Sequence, residues 1–497
     1  MASPADDRAA LPGTEHDLGV VSPHAALARV RGGMLRGSRA DGIDRFLGVP
    51  YAAAPFGESR FAAPAPHPGW SGERDATRPG ATSPQAPYGG GLEQVLPSVE
   101  VPGDEILNLN VWAPEAPGPH PVIVWVHGGA LSRGSNALDS YDGRTFARDG
   151  VVFVAINYRV GSEGFSVLDG APLNLGLLDV IAALQWVRSE IGAFGGDPER
   201  VTVAGQSAGA SLIAAALVHP DGVGLADRAI LQSGPLAGRP REKAARITRL
   251  IAKDLGIAAT RDAFAEVAPE ELVAAQLRVT AGTTPVTGGP GFMLATGEGL
   301  PDPEAALRDG AADAIPVLIG STREEARLWL EPTGLTSRIS ALHLVAARLS
   351  FKIRGATMRI YRRNRPGAGR GELFGALATD LLLRLPFNRF ADARLGRGAA
   401  TWVYEFGWSS PRLGLGAAHC MDLPAVFDRL DAPDAVALTG GAAPASLAEE
   451  MHGAWVAFAT HGDPGWERWT GQRPVQTFDT RTSVVLAPRE DERASWD

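Results

Sequence analysis

The residues best placed to do chemistry form one short stretch, Gly205-Gln206-Ser207-Ala208-Gly209. It lies between the apolar run Val201-Thr202-Val203-Ala204 and an Ala- and Leu-rich segment over 208–218. A strand that passes abruptly into a helix needs small neighbours at the turn, because its central residue is held in a strained conformation. Such a turn would push the Ser207 hydroxyl out of the sheet as a nucleophile. It would also set the Ala208 N–H at a helix N-terminus, where developing negative charge is stabilised. In a chain with 60 glycines the pentapeptide alone can arise by chance, so its weight comes from the flanking strand and helix. Upstream, His127-Gly128-Gly129-Ala130 closes another apolar run. Consecutive glycines let backbone N–H groups converge on one point, as an oxyanion hole requires, although a plain Gly-Gly turn has the same sequence.

A serine hydroxyl needs a base, and the base needs an orienting acid. Behind a strand–turn–helix serine they follow in the order Ser, acid, His. His419 lies in the small-residue stretch Gly416-Ala417-Ala418-His419-Cys420-Met421-Asp422-Leu423-Pro424. His452, in a helical pattern, and His461, in a turn with Gly462 and Pro464, are its rivals. The acid should follow a strand between Ser207 and His419. Gly320-Ser321-Thr322-Arg323-Glu324-Glu325 does so, and either glutamate would satisfy the chemistry, whereas an exposed Glu pair is more often solvated surface.

Elements must hold these groups together. Apolar runs over 122–126, 151–156, 201–204, 228–231, 315–319 and 401–406 read as buried strands, with no polar alternation. Leu177, Ile181, Leu184, Val187 and Ile191 recur at helical spacing. Strands alternating with helices imply a mainly parallel sheet covered on both faces, with ligands beyond the carboxyl ends of the strands. Residues 33–46 read as a β-hairpin region and 48–91 mostly as loop. Helix-rich insertions over 240–280 and 330–395 are placed to roof the ligand end. Residues 1–24 read as a loosely attached tail, and 25–497 as one domain.

Composition narrows the partners. The 497 residues carry a net charge of −9 and are 45% hydrophobic and 21% charged, ordinary for a globular protein with a large core. No basic block is evident, so nucleic acid is not expected as a partner. No apolar run is long enough for a membrane span, so no membrane is expected either. The acidic first residues do not read as a signal peptide. The single cysteine, Cys420, excludes an intramolecular disulfide and fits a reducing compartment. A cytoplasmic monomer acting on a small molecule is the expectation.

An ordered set of matches carries a resemblance. It comprises Phe46-Leu47-Gly48-Val49-Pro50-Tyr51-Ala52, Arg60-Phe61, Leu107-Asn108-Leu109-Asn110-Val111 and Trp125-Val126-His127-Gly128-Gly129. Asn157-Tyr158-Arg159, Phe194-Gly195-Gly196-Asp197-Pro198 and Gln232-Ser233-Gly234 complete it. From about residue 33 to residue 479 the chain resembles the type-B carboxylesterases, which include cholinesterases and bacterial para-nitrobenzyl esterases. The resemblance implies an α/β-hydrolase fold, with a mainly parallel central sheet, helices on both faces and helical insertions over the active site. It implies a triad of Ser207, Glu325 and His419, with Glu325 chosen because the family acid is the second carboxylate of its motif. It implies oxyanion donors at the N–H groups of Gly129, Ala130 and Ala208, a small-molecule ester substrate, and no metal or organic cofactor. It also implies structural ion pairs of Arg60 with Asp104 and Arg159 with Asp197.

Departures bear on the substrate. Gln206 stands where the family usually has glutamate, Ile106 where it has cysteine, Ala326 where it has glycine, and Leu131 where an aromatic is common. The stretch 71–110, where cholinesterases carry their choline-binding Trp, has no Trp, and its only aromatic residue is Tyr88. Neutral esters are therefore expected over choline esters. An amidase, carbamate hydrolase or lactonase on the same residues is the rival enzyme. A neuroligin-like adhesion protein is the rival without chemistry, disfavoured because Ser207, Glu325 and His419 are all present.

Overall fold

Residues of the central strands alternate between two apolar cores. Val122, Val124 and Val126 enter one cluster with Val152, Val154, Ile156, Val201 and Val203. Ile123 and Trp125 enter a second with Phe153, Ala155, Ala204 and Ile230. Successive side chains of a strand point to opposite faces, so a strand that is apolar throughout must be covered on both sides. The computed structural model describes residues 25–282, 289–297 and 299–497, and the expected tail over 1–24 lies outside them.

In chain order the strands are β1 (Ala25–Val30), β2 (Gly33–Ala40), β3 (Ile43–Pro50), β4 (Glu73–Asp75), β5 (Asn108–Pro114), β6 (His120–Val126), β7 (Val152–Ile156), β8 (Gly196–Gln206), β9 (Arg228–Gln232), β10 (Arg239–Pro240), β11 (Ala295–Thr296), β12 (Val317–Thr322), β13 (Thr401–Phe406), β14 (Pro474–Phe478) and β15 (Ser483–Leu486). The main sheet runs β1-β2-β3-β5-β7-β6-β8-β9-β12-β13-β14-β15, with β4 added beside β2, while β10 and β11 pair separately. From β7 to β14 neighbouring strands are parallel, and antiparallel strands close both edges. This is the mainly parallel sheet that the strand and helix signals imply, and the α/β-hydrolase architecture that the resemblance implies. The hairpin expected over 33–46 is β2 and β3, joined through Asp41-Gly42.

Register fixes which chain ends meet. Val126 pairs with Gly205, Gln206 with Gln232, Gln232 with Gly320, and Gly320 with Tyr404. The carboxyl ends of β6, β8, β9, β12 and β13 therefore form one row, and the four sequence segments singled out for chemistry leave from it. The helix Leu175–Glu190 covers one face and buries Leu177, Ile181, Leu184 and Val187, as their spacing requires. Both insertions are helical: Arg241–Leu255, Arg261–Ala265 and Pro269–Thr280 in the first, and four helices between Ala341–Ser350 and Leu385–Leu395 in the second.

Both expected ion pairs are corrected. Arg60 pairs with Glu163 and donates to the Ala265 carbonyl at 3.0 Å, while Asp104 is exposed. Arg159 pairs with Asp179 at 2.7 and 2.8 Å, and its backbone N–H donates to the same carboxylate at 3.0 Å. Asp197 instead meets Arg200 at 2.7 Å. The reason is geometric. Arg159 follows the carboxyl end of β7, whereas Asp197 lies at the amino end of β8, at the opposite end of the strands. A buried guanidinium must find a buried carboxylate nearby, and Arg159 and Asp179 are 1% and 0% exposed.

Asp179→Asn should strand the Arg159 charge and lower the unfolding free energy by about 3–5 kcal/mol, whereas Asp197→Asn should cost less than about 1 kcal/mol. Urea denaturation of the two variants decides between them, and equal losses would contradict the reassigned pair.

Candidate active site

Ser207 occupies the turn between β8 and the helix Ala208–Ala216, at φ 56° and ψ −123°. A non-glycine residue there is strained, and such strain persists only where the surroundings over-determine it. They do so here: the Ser207 N–H donates to the Gln232 carbonyl at 2.8 Å, and its own carbonyl accepts from the Ser211 N–H at 3.1 Å. The helix also enters close against β6, because a Cβ on Gly209 would collide with the Val126 carbonyl. Glycine at this position is a steric requirement of the turn.

The loop after β6 curls beside it. Gly129, Ala130 and Leu131 take φ values of +118°, +55° and +59° in succession. Successive left-handed residues make a concavity of backbone N–H groups. A Cβ placed on Gly128 would stand 3.1 Å from the Ser207 Cβ, so the loop lies against the serine. Two side chains pin the loop. The His127 ring stacks on Tyr158 at 4.3 Å and bonds the Gly128 carbonyl through Nδ1 at 2.8 Å, while the Tyr158 hydroxyl donates to the His127 carbonyl at 2.8 Å. Burial pushes the His127 pKa down to about 4, which keeps the ring neutral near pH 7. At the far end of the loop Gln85 spans Gly134, accepting from its N–H at 2.7 Å and donating to its carbonyl at 3.0 Å.

Glu325 and His419 are in contact. His419 Nδ1 meets Glu325 Oε2, and Glu325 Oε1 accepts from the Thr322 N–H at 2.8 Å. Both residues are buried, and Trp329 lies against the imidazole at 4.7 Å. Glu324 points elsewhere, pairing with Arg327 at 2.8 Å and capping the Ala417 N–H at 3.0 Å. The two glutamates that local sequence leaves equivalent are thus separated by position. His452 is tied to the Val426 carbonyl at 2.8 Å and to Asp149 at 3.1 Å, and His461 is exposed at a helix end.

The other imidazole nitrogen has an unexpected partner. His419 Nε2 lies 3.0 Å from Gln206 Nε2, which also reaches the Cys420 sulfur at 3.3 Å. With the Nδ1 proton turned to Glu325, the Gln206 amide donates into the lone pair that a nucleophilic serine would use. Among the described residues the Ser207 hydroxyl has no hydrogen-bond partner. Burial pushes His419 down, but Cys420 and Glu325 outweigh it and hold the ring well above its ordinary pKa. Beneath it lies Asp422, which sequence reasoning missed. It accepts from Gln232 at 3.1 Å and from the Tyr404 hydroxyl at 3.0 Å. Burial, and then the charge of Glu325, push Asp422 up to about 6. Its only sequence signal was a carboxylate three residues beyond His419.

A cavity opens beside Gln206 and Gly128. Its walls are the segment 85–99, the loop after β6, and residues 420–438, including Tyr88, Leu96, Tyr141 and Leu438. Neither helical insertion lines it, so the expectation that they roof this end is not met at this cavity.

Residues 24–486 match the sequence model of the carboxylesterase family. The chain is 34% identical to the para-nitrobenzyl esterase of Bacillus subtilis (strain 168), over 91% of this chain and 93% of that one. It is 35% identical to the phenmedipham hydrolase of Pseudarthrobacter oxydans, over 93% and 94%. Among solved structures, a carboxylesterase of Geobacillus stearothermophilus superposes with a TM-score of 0.84 at 35% identity, covering 95% of this chain and 100% of that one.

Gln206→Glu should replace a neutral donor with a carboxylate that stabilises the imidazolium. The acid limb of the kcat/KM–pH profile should then move to higher pH by about one unit or more. A limb that stays in place or moves to lower pH would show that Gln206 does not address the His419 ring in solution.

Proposed function

The chain belongs to the carboxylesterase family and is a carboxylic-ester hydrolase, and from that premise we propose that it works through an acyl-enzyme on Ser207. His419 takes the hydroxyl proton as Ser207 attacks the ester carbonyl, and Glu325 holds the Nδ1 tautomer and stabilises the imidazolium. The N–H groups of Gly129, Ala130 and Ala208 receive the oxyanion, with the last at a helix N-terminus. The alcohol leaves with the proton from His419, and water repeats the sequence on the acyl-enzyme. The observation that carries this reading is the buried contact of His419 Nδ1 with Glu325, on the strand ends that also hold the Ser207 turn and the curled loop. No step requires a metal or organic cofactor.

The cavity beside Gln206 supports small neutral esters. Its aromatic Tyr88 already carries a cation, the Arg133 guanidinium 4.6 Å above the ring. Gln206 adds no negative charge. A quaternary ammonium would meet an occupied aromatic face and a nearby like charge.

Two measurements test the proposal. A fluorophosphonate should label the pure enzyme on the peptide holding Ser207, and Ser207→Ala should abolish the label and lower kcat by about 10³-fold or more with an unchanged unfolding midpoint. A label elsewhere, or turnover within tenfold of wild type, would remove Ser207 from the role. For substrate charge, a neutral thioester should show a higher kcat/KM than butyrylthiocholine of similar size, and the reverse order would overturn the neutral-ester reading.

A further inference from the structure

The second insertion carries a surface unlike the rest of the molecule. Against a net charge of −9, residues 332–371 hold nine Lys and Arg and no Asp or Glu. The cations are spaced along the sequence, so they do not register as a block. Only Arg363 and Arg365 are paired with carboxylates, Asp491 and Glu492, while Arg354 donates to the Asp497 carbonyl. Arg338, Arg348, Lys352, Arg359, Arg362 and Arg370 are exposed and make no ion pair among the described residues. Arg348 and Arg359 each bring one guanidinium nitrogen near Gly355, 3.6 and 3.7 Å from the point where a Cβ there would stand. Like charges repel, and an incoming anion relieves the repulsion.

Beside these cations stands an apolar ridge. The helix Ala341–Ser350 begins with a capping box between Ser340 and His343, and of its large apolar side chains it buries only Leu344. Leu342, Val345 and Leu349, spaced along one face, are 79%, 51% and 73% exposed, and Phe351 just beyond is 59% exposed. A capped helix that leaves most of its apolar side chains in water is formed to meet something apolar. It packs on the helix Arg370–Thr379, whose Thr379 hydroxyl accepts from the Ala326 N–H, next to Glu325. The ridge therefore stands on the insertion that rises from the active-site end of the sheet.

We propose that this helix and its flanking cations dock the protein on an anionic lipid surface, with Leu342, Leu349 and Phe351 entering the headgroup boundary and Arg338, Arg348 and Lys352 meeting lipid phosphates. An apolar ridge bordered by unpaired cations is the chemistry of helices that lie in a bilayer interface. A second copy of this chain fits less well, since each ridge would bring the same six unpaired charges to the contact. No helix among the described residues is long and apolar enough to cross a membrane. The sequence-based expectation of no membrane partner rested on that point, and it concerns spanning rather than lying on the surface.

The test is sedimentation of the full-length protein with vesicles of phosphatidylcholine alone and of phosphatidylcholine mixed with phosphatidylglycerol, at low salt. The wild type should sediment with the phosphatidylglycerol vesicles and remain in solution with the neutral ones. The triple variant Arg338→Gln, Arg348→Gln, Lys352→Gln should lose about a hundredfold in partition coefficient, about fivefold per cation. The triple variant Leu342→Ser, Leu349→Ser, Phe351→Ser should lose about tenfold or more. All three proteins should keep the same unfolding midpoint, because the altered side chains are exposed. Failure of the wild type to bind anionic vesicles, equal binding to neutral ones, or unchanged binding by both variants would overturn the proposal. So would a dimer without vesicles that the serine variant dissociates, which would assign the ridge to a second copy.

Discussion

The parallel register of β6, β8, β9, β12 and β13 is the constraint on which the rest depends. Each strand contributes one fragment of chemistry at its carboxyl end, and none of the fragments is useful alone. Hydrogen bonding fixes the strand ends within two residues of one another, so the loop after β6, the Ser207 turn, the Glu325 loop and the His419 loop leave from one row. The bonds continue past the strands: Ser207 N–H to the Gln232 carbonyl, Ser233 N–H to the Gly320 carbonyl, and Arg323 N–H to the Phe406 carbonyl, each at 2.8 Å. A slip of one residue would turn every inward side chain of a strand to the other face and exchange its two cores. The density of Val, Ile and aromatic side chains in those cores therefore also fixes where these four loops begin.

That frame was legible in the sequence because it is written locally. A run such as Val122-Ile123-Val124-Trp125-Val126 can be satisfied only by burial on both faces, and a Gly-x-Ser-x-Gly between strand and helix has few structural meanings. Partners distant in sequence were not legible. The resemblance implies Asp197 as the partner of Arg159, whereas Asp179 looks like any solvated helical acid, and only the docking of its helix brings it under the guanidinium. Gln85 and Asp422 escaped for the same reason: neither has a local pattern, and each acts through a contact made by folding. The cations of 332–371 escaped differently. Spaced singly among apolar residues they look like ordinary helix surface, and their lack of counter-ions becomes visible only when neighbouring acids are seen to be absent or already engaged.

The walls of the cavity follow from the same logic. Helical insertions are conspicuous in sequence and invite the role of a roof. Yet the cavity beside Gln206 is enclosed by 85–99, which is largely irregular, and by 420–438, which carries only the short helices Leu423–Val426 and Pro433–Thr439. Irregular backbone can approach a site from any direction, provided its polar groups are bonded, and here Gln85 bonds both polar backbone atoms of Gly134. Helices need broad apolar support and pack where the sheet supplies it. The walls of this cavity are therefore supplied largely by segments that secondary-structure patterns pass over.

The Gln206 amide shows how one neutral side chain can serve a base that changes charge. When His419 is neutral with its proton on Nδ1, the Gln206 N–H can donate to the Nε2 lone pair across the 3.0 Å contact. Once Nε2 holds a proton, that donor faces another donor, and the favourable contact is lost. A primary amide also carries an acceptor, so rotation about its last torsion presents oxygen to the imidazolium in place of nitrogen. The hydrogen bond exchanged is worth about 1 kcal/mol in either state, small enough not to trap the ring in one of them. A carboxylate at the same position has no donor to offer the neutral ring and would favour the charged form alone, on top of the pull that Glu325 already exerts. If His419 is the base proposed above, charge neutrality at residue 206 keeps its free form accessible where Cys420 and Glu325 already hold the ring's pKa high.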